Sequence, residues 1–360
     1  MDKKFFMCIA AMAALTLVSC SSDDLNSLSD NSSKNEAISF DGYLGRSAVA
    51  VNGSRGGVET KETLKTKGFG VFGKYTDGQT SDPDFFKNPK VTYSNSNKKW
   101  TYTPLKYWPT QGQIDFLAYA PYNKDQKLKE NTNTFDFTVA PEVANQIDLL
   151  WANATGKITE NFAGTTKEKV KFLFKHALSR LGYTIKLSGN YTSDNATFTL
   201  NQITLAGSAN ENTQAFYKTG TIDLSKTSSD GLWSNYVGKQ NFNWVSESYK
   251  VESTKPYDPK NYLFVIPQDF SQSKTTENPN VDELYVIVKY TIDYKTSGQQ
   301  INTVYKKLPI KFEQGKAYML NLTIGLPIEF DIDVETVSGV EDWHPEPDNN
   351  IDSWDDIKHE

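Results

Sequence analysis

Few residues in this chain could form a covalent or metal-bound site. Its 360 residues include two cysteines, Cys8 and Cys20, and three histidines. A zinc site needs three or four nitrogen, sulfur or carboxylate ligands, and a thiol nucleophile needs a base beside it. No Gly-rich phosphate loop and no G-x-S-x-G elbow occurs. We therefore predict no catalytic residue, no metal and no cofactor, and a protein that is not an enzyme.

Cys20 ends an N-terminal segment that is typical of a secretory signal. A short basic start precedes an uncharged apolar run at 5–18, which is shorter than the roughly 20 residues of a membrane-spanning helix. The residues from Leu17 to Cys20 resemble a bacterial lipobox, in which the thiol takes the lipid. We predict a lipoprotein signal peptide at 1–19 and an acyl group such as palmitate on Cys20. The alternative is an ordinary signal peptide with an accidental cysteine.

The segment directly after the lipidation site is polar and acidic. Ser21, Ser22, Asp23 and Asp24 resemble the surface-export signal of lipoproteins in the Bacteroidetes phylum. That resemblance implies a surface-exposed protein of the cell outer membrane, and a merely acidic linker is the alternative. Residues 20–37 offer too little apolar surface to fold, so we predict a flexible tether.

Apolar side chains alternate with polar ones through most of the remaining chain. Period two is typical of half-buried strands, and the high aromatic content of 13% suits them. The clearest single-face runs are Ile114, Phe116, Ala118 and Ala120; Leu181, Tyr183, Ile185 and Leu187; Leu284 to Tyr294 in steps of two; and Tyr318 to Ile324 in steps of two. One short helix is predicted at 58–66. The net charge of −6 argues against nucleic acid as a partner.

Turn residues between these short strands predict an all-β fold of two tandem β-sandwiches. The polar stretch at 156–169 is the expected break. We therefore predict an N-terminal sandwich at 38–164, a C-terminal sandwich at 165–345 and an acidic tail at 346–360. The tail lacks the glycine and terminal glutamate of a calcium loop, so we interpret it as solvated.

Several motifs, in their order along the chain, resemble the Mfa-like fimbrillin family of the Bacteroidetes. They are KGFGVF at 67–72, WTY at 100–102, YWP at 107–109, IDFLAYAPY at 114–122, DLLWA at 148–152, VKFLFKHALSRL at 170–181, GKAYMLNLTIG at 315–325 and DW at 342–343. The resemblance implies transthyretin-like sandwiches, export as a lipoprotein and assembly into a type V pilus, or fimbrium. It also implies that an arginine-specific protease removes an N-terminal strand, and that the groove accepts a strand of the next subunit.

The first predicted strand, at 38–44, is the candidate for removal. Arg46 and Arg55 follow it among small residues and glycines, where proteolysis concentrates. Both could be ordinary surface arginines, and we prefer Arg46 as the processing site because it lies directly after the strand. The implied partners are other fimbrial subunits, a lipid anchor and a host or bacterial surface ligand.

A donor strand should also present one apolar face, and Ile328 to Val334 alternates suitably. This segment could serve only if it leaves its own domain. The alternative function is a surface lipoprotein that binds glycans without polymerising. The aromatic set Trp100, Tyr102, Tyr107 and Trp108 could form a sugar platform, although packing of the sandwich is the favoured interpretation. His176 alternates with buried positions, which favours a core histidine.

The lipobox leads to the first prediction. Changing Cys20→Ala removes the only thiol that remains after signal cleavage, so the protein should leave the membrane fraction. Fractionation followed by immunoblotting measures this. A variant of the correct mature size that stays membrane-bound would contradict lipid anchoring.

Overall fold

The computed structural model describes residues 37–44, 57–158, 169–193, 195–326 and 328–337. This part of the chain contains 21 strands, one α-helix and a short 3-10 helix at Val143–Asn145. The all-β prediction is therefore confirmed. Within these ranges, none of the helices has the length and apolar character needed to cross a membrane.

The first eight strands and the α-helix occupy the described residues up to 176. They are β1 (Phe40–Leu44), α1 (Lys61–Lys67), β2 (Phe69–Thr76), β3 (Ser81–Ser94), β4 (Lys99–Thr101), β5 (Gln113–Ala120), β6 (Thr134–Thr138), β7 (Leu150–Ile158) and β8 (Val170–His176). All of these strands except β6 form one seven-stranded sheet in the order β1-β8-β7-β5-β2-β3-β4. β1 runs parallel to β8, and the other neighbours in this sheet are antiparallel.

The later strands form four further sheets. They are β9 (Ser179–Leu187), β10 (Ala196–Ala206), β11 (Phe216–Asp223), β12 (Trp233–Gln240), β13 (Phe242–Val245), β14 (Tyr249–Val251), β15 (Leu263–Val265), β16 (Gln268–Asp269), β17 (Tyr285–Tyr294), β18 (Gly298–Lys307), β19 (Lys311–Phe312), β20 (Ala317–Gly325) and β21 (Glu329–Thr336). The sheet orders are β13-β10-β17-β18 with β14 also on β10, β15-β9-β20-β21, β12-β11-β6 and β16-β19.

The seven-stranded sheet uses its two faces for two separate apolar clusters. On β5, Ile114, Phe116 and Ala118 belong to one cluster, while Leu117 and Tyr119 belong to the other. We call the first cluster the N-terminal interior, because its buried members all lie between residues 38 and 174. The second cluster continues into the strands of the C-terminal half. Alternate residues of β5 therefore point to opposite faces of the sheet, and both faces are buried.

Strands from both sides of the predicted division at residues 164 and 165 pair with one another. β8 follows that division and lies between β1 and β7, and β6 precedes it and pairs with β11. The division into domains at that point stays a prediction.

The alternating faces predicted in the C-terminal half are buried. Leu181, Tyr183, Ile185 and Leu187 of β9 all lie in the second cluster, together with the predicted apolar residues of β20. The parallel pairing of β9 with β20 brings these two faces side by side.

The short helix α1 begins and ends at residues suited to those positions. Thr60 and Thr63 form a reciprocal capping box at its start. Gly68 ends the helix with φ 74° and ψ −178°, a backbone region open almost exclusively to glycine. A Cβ at Gly68 would lie 2.4 Å from the Val91 carbonyl oxygen of β3. Glycine at position 68 therefore lets the chain turn from α1 into β2 beside β3.

Gly68→Ala should lower the free energy of unfolding by about 1–3 kcal/mol through backbone strain and by a similar amount through the contact with β3. Gly78→Ala is the matched control, because Gly78 also has a positive φ of 89° but its Cβ would meet nothing within 4 Å. Urea unfolding of both variants measures the difference. Equal losses would contradict the role of the close approach.

Candidate functional site

β1 presents one side of its backbone to the N-terminal interior. Ile38, Phe40 and Leu44 are each at most 2% exposed, whereas Ser39 and Tyr43 are half-buried. Gly42 lies on the same side as Phe40, and a Cβ there would approach Phe69 to 2.8 Å. The residues that alternate in the sequence of this segment therefore lie on two different sides in the structure, one buried and one outer.

Phe40 lies among four aromatic rings. Its ring centroid is 5.4 Å from that of Phe86, 5.2 Å from Tyr102, 5.6 Å from Phe116 and 5.7 Å from Phe172. These rings come from β3, the segment after β4, β5 and β8, so one side chain of β1 joins parts of the sheet that are distant in sequence. Burying a phenylalanine contributes about 1.5–3 kcal/mol.

The backbone of β1 and of the residues before it is paired on both sides. On one side, β1 matches β8 from Phe40 opposite Val170 to Leu44 opposite Phe174. On the other side, the Ile38 N–H donates to the Lys106 carbonyl at 2.8 Å, and the Tyr102 hydroxyl donates to the Ile38 carbonyl at 2.8 Å. The segment at 37–44 therefore lies between β8 and the residues that follow β4.

Taking away this segment would leave a slot with the properties of a strand-binding groove. The slot would expose the aromatic rings around Phe40 and the backbone groups of β8 that now pair with β1. An unpaired sheet edge beside apolar surface is a template for a strand of another chain.

The chain after the undescribed segment at 45–56 is held by a buried polar cluster. The Glu59 N–H donates to Asp148 Oδ2 at 2.8 Å, and Asp148 Oδ1 is 2.9 Å from His176 Nδ1. The Glu59 carboxylate accepts from the Thr63 hydroxyl at 2.7 Å and pairs with Lys67. Burial raises the pKa of Glu59, although Lys67 acts in the opposite direction. His176 and Asp148 are fully buried, so His176 is a core histidine that helps to fix residues 57–60.

Several residues predicted from the sequence lie outside the described residues. They are Cys20, Ser21, Ser22, Asp23, Asp24, Arg46 and Arg55. The described chain stops at Leu44, two positions before Arg46, and resumes at Gly57, two positions after Arg55. Their predicted roles stay predictions.

The aromatic set around β4 packs rather than forming a sugar platform. Tyr102 and Trp108 are buried in the N-terminal interior, and Trp100 packs on Phe69 with ring centroids 4.9 Å apart. Only Tyr107 of this set is largely exposed, at 51%.

The candidate donor strand forms β21, an edge strand on β20. Ile332 is buried, and Phe330 and Val334 pack on the second cluster while half-buried. The apolar face that was predicted to plug a groove is therefore used within this chain.

β3, whose Phe86 packs on Phe40, was not predicted from the sequence. Phe86 lies in β3 between Pro83 and Pro89, and prolines argue against a paired strand. The register of β2 with β3 shifts twice, at Gly70/Phe72 and at Gly73/Tyr75, so β3 accommodates its prolines beside irregular pairing. The adjacent aromatic residues Phe85 and Phe86 were the feature of the sequence that could have indicated a strand here. Among the described residues, no group of three or more His, Cys, Asp or Glu side chains could hold a metal ion.

Residues 58–343 match the family model described as fimbrillin-like, and this match spans more than half of the chain. The chain belongs to the fimbrillin-like family. The matched region of this fimbrillin-like chain begins after β1 and after both Arg46 and Arg55. β1 is therefore completing a core whose other residues come from the family region.

Several solved structures are similar to this chain. A fimbrial protein of Bacteroides vulgatus is 20% identical with a TM-score of 0.56, and the alignment covers 83% of this chain and 99% of that one. A fimbrilin of Porphyromonas gingivalis is 10% identical with a TM-score of 0.46, covering 83% of this chain and 96% of that one. The first of these likenesses shows a shared fold. No curated protein matches the chain by sequence.

Phe40→Ala should lower the free energy of unfolding by about 3–5 kcal/mol, because it empties the centre of the aromatic group. Tyr43→Ala is the matched control, since Tyr43 lies on the outer side of the same strand, and it should cost about 1 kcal/mol. Chemical denaturation of the uncut protein measures both. Equal losses would show that β1 does not complete the interior.

Proposed function

We propose that this chain is a structural subunit of a surface fimbrium that is exported as a lipoprotein and assembled by strand exchange. The observation that carries the proposal is β1. The segment at 37–44, which contains β1, lies before the residues that match the family model. Its side chains Ile38, Phe40 and Leu44 complete the N-terminal interior. Arg46 and Arg55 follow it in the sequence.

The arginine content makes processing at this place selective. The chain has three arginines, Arg46, Arg55 and Arg180. Arg180 is 6% exposed, and its guanidinium lies 4.6 Å from the ring centroid of Tyr262. A protease that cuts after arginine would reach Arg180 only after unfolding, so folded protein offers it only the segment between β1 and residue 57.

A cut after Arg46 would separate β1 and the lipidated Cys20 from the rest of the chain in one step. The polar cluster of Glu59, Asp148 and His176 would keep the new N-terminal region attached to the fold. The freed slot would then be filled by a strand of the next subunit. Each backbone hydrogen bond contributes only about 1 kcal/mol net, so apolar side chains that replace Phe40 must supply most of the affinity.

The donor candidate in this scheme is the segment at 328–334, which forms most of β21 and could serve only if it leaves its own domain. β21 is paired on one side only, and its face of Phe330, Ile332 and Val334 has the alternation that the slot needs. Donor and acceptor are different surfaces of one subunit, and head-to-tail contact of different surfaces produces an open filament.

This proposal places the protein at the outer membrane surface and in the fimbrium, with other fimbrial subunits as partners. Its role is structural and adhesive rather than enzymatic. Once the lipidated end is cut away, attachment to the cell depends on contacts with subunits that remain anchored.

Treatment of the purified precursor with an arginine-specific protease tests the proposal. We expect cleavage confined to the segment before residue 57, followed by oligomers that resist mild detergent. Arg46→Ala should slow the release of β1 and the assembly if Arg46 is the preferred processing site, because only Arg55 then remains for the cut. Arg55→Ala is then the control that leaves assembly intact.

Mass spectrometry locates the cut, and gel filtration follows assembly. The double variant Arg46→Ala/Arg55→Ala should resist the protease entirely. Cut protein that stays monomeric at high concentration and captures no subunit from surface extracts would overturn strand exchange. Cleavage after Arg180 in folded protein would overturn the argument from burial.

A further inference from the structure

The C-terminal half contains a cleft of about 770 Å³ at the end of β13, beside the 3-10 helix at Val143–Asn145. Four aromatic side chains line it: Tyr183, Trp244, Tyr249 and Tyr257. Its size falls in the range of about 300–1,000 Å³ that small-ligand sites occupy. The cleft is far in sequence from β1 and contains no residue of the N-terminal interior.

The aromatic lining is fixed by mutual contacts. Tyr183 meets Trp244 edge-to-face with ring centroids 5.1 Å apart, and its hydroxyl is 3.1 Å from that of Tyr249. Tyr249 in turn meets Tyr257 at 5.6 Å with the ring planes 62° apart. These contacts hold the rings in place before any ligand arrives, which reduces the ordering cost of binding.

Tyr257 presents its ring to solvent from a fixed backbone. The side chain is 55% exposed. Its N–H donates to the Ile185 carbonyl at 2.9 Å, and its carbonyl accepts from the Ile185 N–H at 3.0 Å. An exposed ring on a pinned backbone is a ready surface for stacking a flat apolar face.

Polar groups around the rings suit hydroxyl-bearing ligands. Asn241, Asn243 and Asn261 line the cleft. Asn241 and Asn261 already donate one amide N–H each, to the Glu211 and Trp244 carbonyls, and Asn243 is the exposed amide of the three, with two donors and an acceptor. Within the described structure, Trp244 Nε1 and Asn261 Oδ1 are buried without a hydrogen-bond partner. Such groups are rare in folded proteins and indicate a partner that is absent from the chain itself.

The charge of the lining excludes anionic ligands. Glu142 and Glu247 are the charged side chains among the described residues that line the cleft, which include no Lys, Arg or His. A carboxylate, sulfate or phosphate group would meet repulsion from these carboxylates.

We propose that this cleft binds a neutral oligosaccharide. A sugar ring has apolar C–H faces that stack on Tyr257 and equatorial hydroxyls that pair with the asparagine amides. A proline-rich peptide also binds aromatic grooves, but proline has no backbone N–H, so such a peptide offers few donors to the amide oxygens of the cleft. The site differs from the aromatic set around β4, and it would give the fimbrial subunit an adhesive surface of its own.

The full-length precursor should be screened on an array of neutral and acidic glycans, and the strongest neutral oligosaccharide then measured by calorimetry. Tyr257→Ala should weaken binding about tenfold, because it removes the stacking face. Asn243→Ala should weaken it severalfold.

Tyr305→Ala and Tyr107→Ala are the matched controls, because these tyrosines are 57% and 51% exposed but lie outside the cleft. Both should bind as wild type does. The proposal is overturned by an absence of neutral glycans among the ligands, by binding that survives Tyr257→Ala, or by binding that depends on Tyr107. Binding of acidic glycans alone, or of a proline-rich peptide alone, would also overturn it. The measurement uses uncut protein, so its result is separate from that of strand exchange.

Discussion

The N-terminal interior is complete only when the segment at 37–44 lies between β8 and the residues that follow β4. Phe40 contacts rings from four separate parts of the chain, and the hydroxyl of Tyr102 bonds to the segment's backbone. The segment is short, and β1 is the end strand of its sheet. Its attachment to the sheet therefore depends more on the packing of its side chains than on backbone pairing. Loss of β1 would therefore expose apolar rings and unpaired backbone groups of β8 together.

The second cluster lies on the face of the seven-stranded sheet opposite to the buried side chains of β1. Leu117, Tyr119 and Trp151 of the same sheet pack on the side opposite to Phe40, against residues of the C-terminal half. Strands β5 and β7 are therefore held from both faces, whereas β1 contributes its side chains only to the N-terminal interior. Tyr183 and Trp244 of the cleft belong to the second cluster.

The three arginines and the buried polar cluster of Glu59, Asp148 and His176 lie at different places relative to β1. Two of three arginines lie in the segment between β1 and residue 57, and the third is enclosed in the core. Directly after that segment, Asp148 and His176 fix the backbone at Glu59 deep inside the protein. These contacts are buried, so breaking them would leave polar groups unsatisfied in the interior.

The sequence by itself determined the strand content, the buried faces of β5, β9 and β20, and the family, because period-two alternation and short motifs are local properties. It could not place β3, because Pro83 and Pro89 argue against a paired strand. Only the structure shows that β3 pairs with β2 through a register that shifts twice. Nor could the sequence show that β6 pairs with β11, or that Tyr183, Trp244 and Tyr257 line one cleft. Those juxtapositions depend on contacts between residues far apart in the chain, and only tertiary packing decides them.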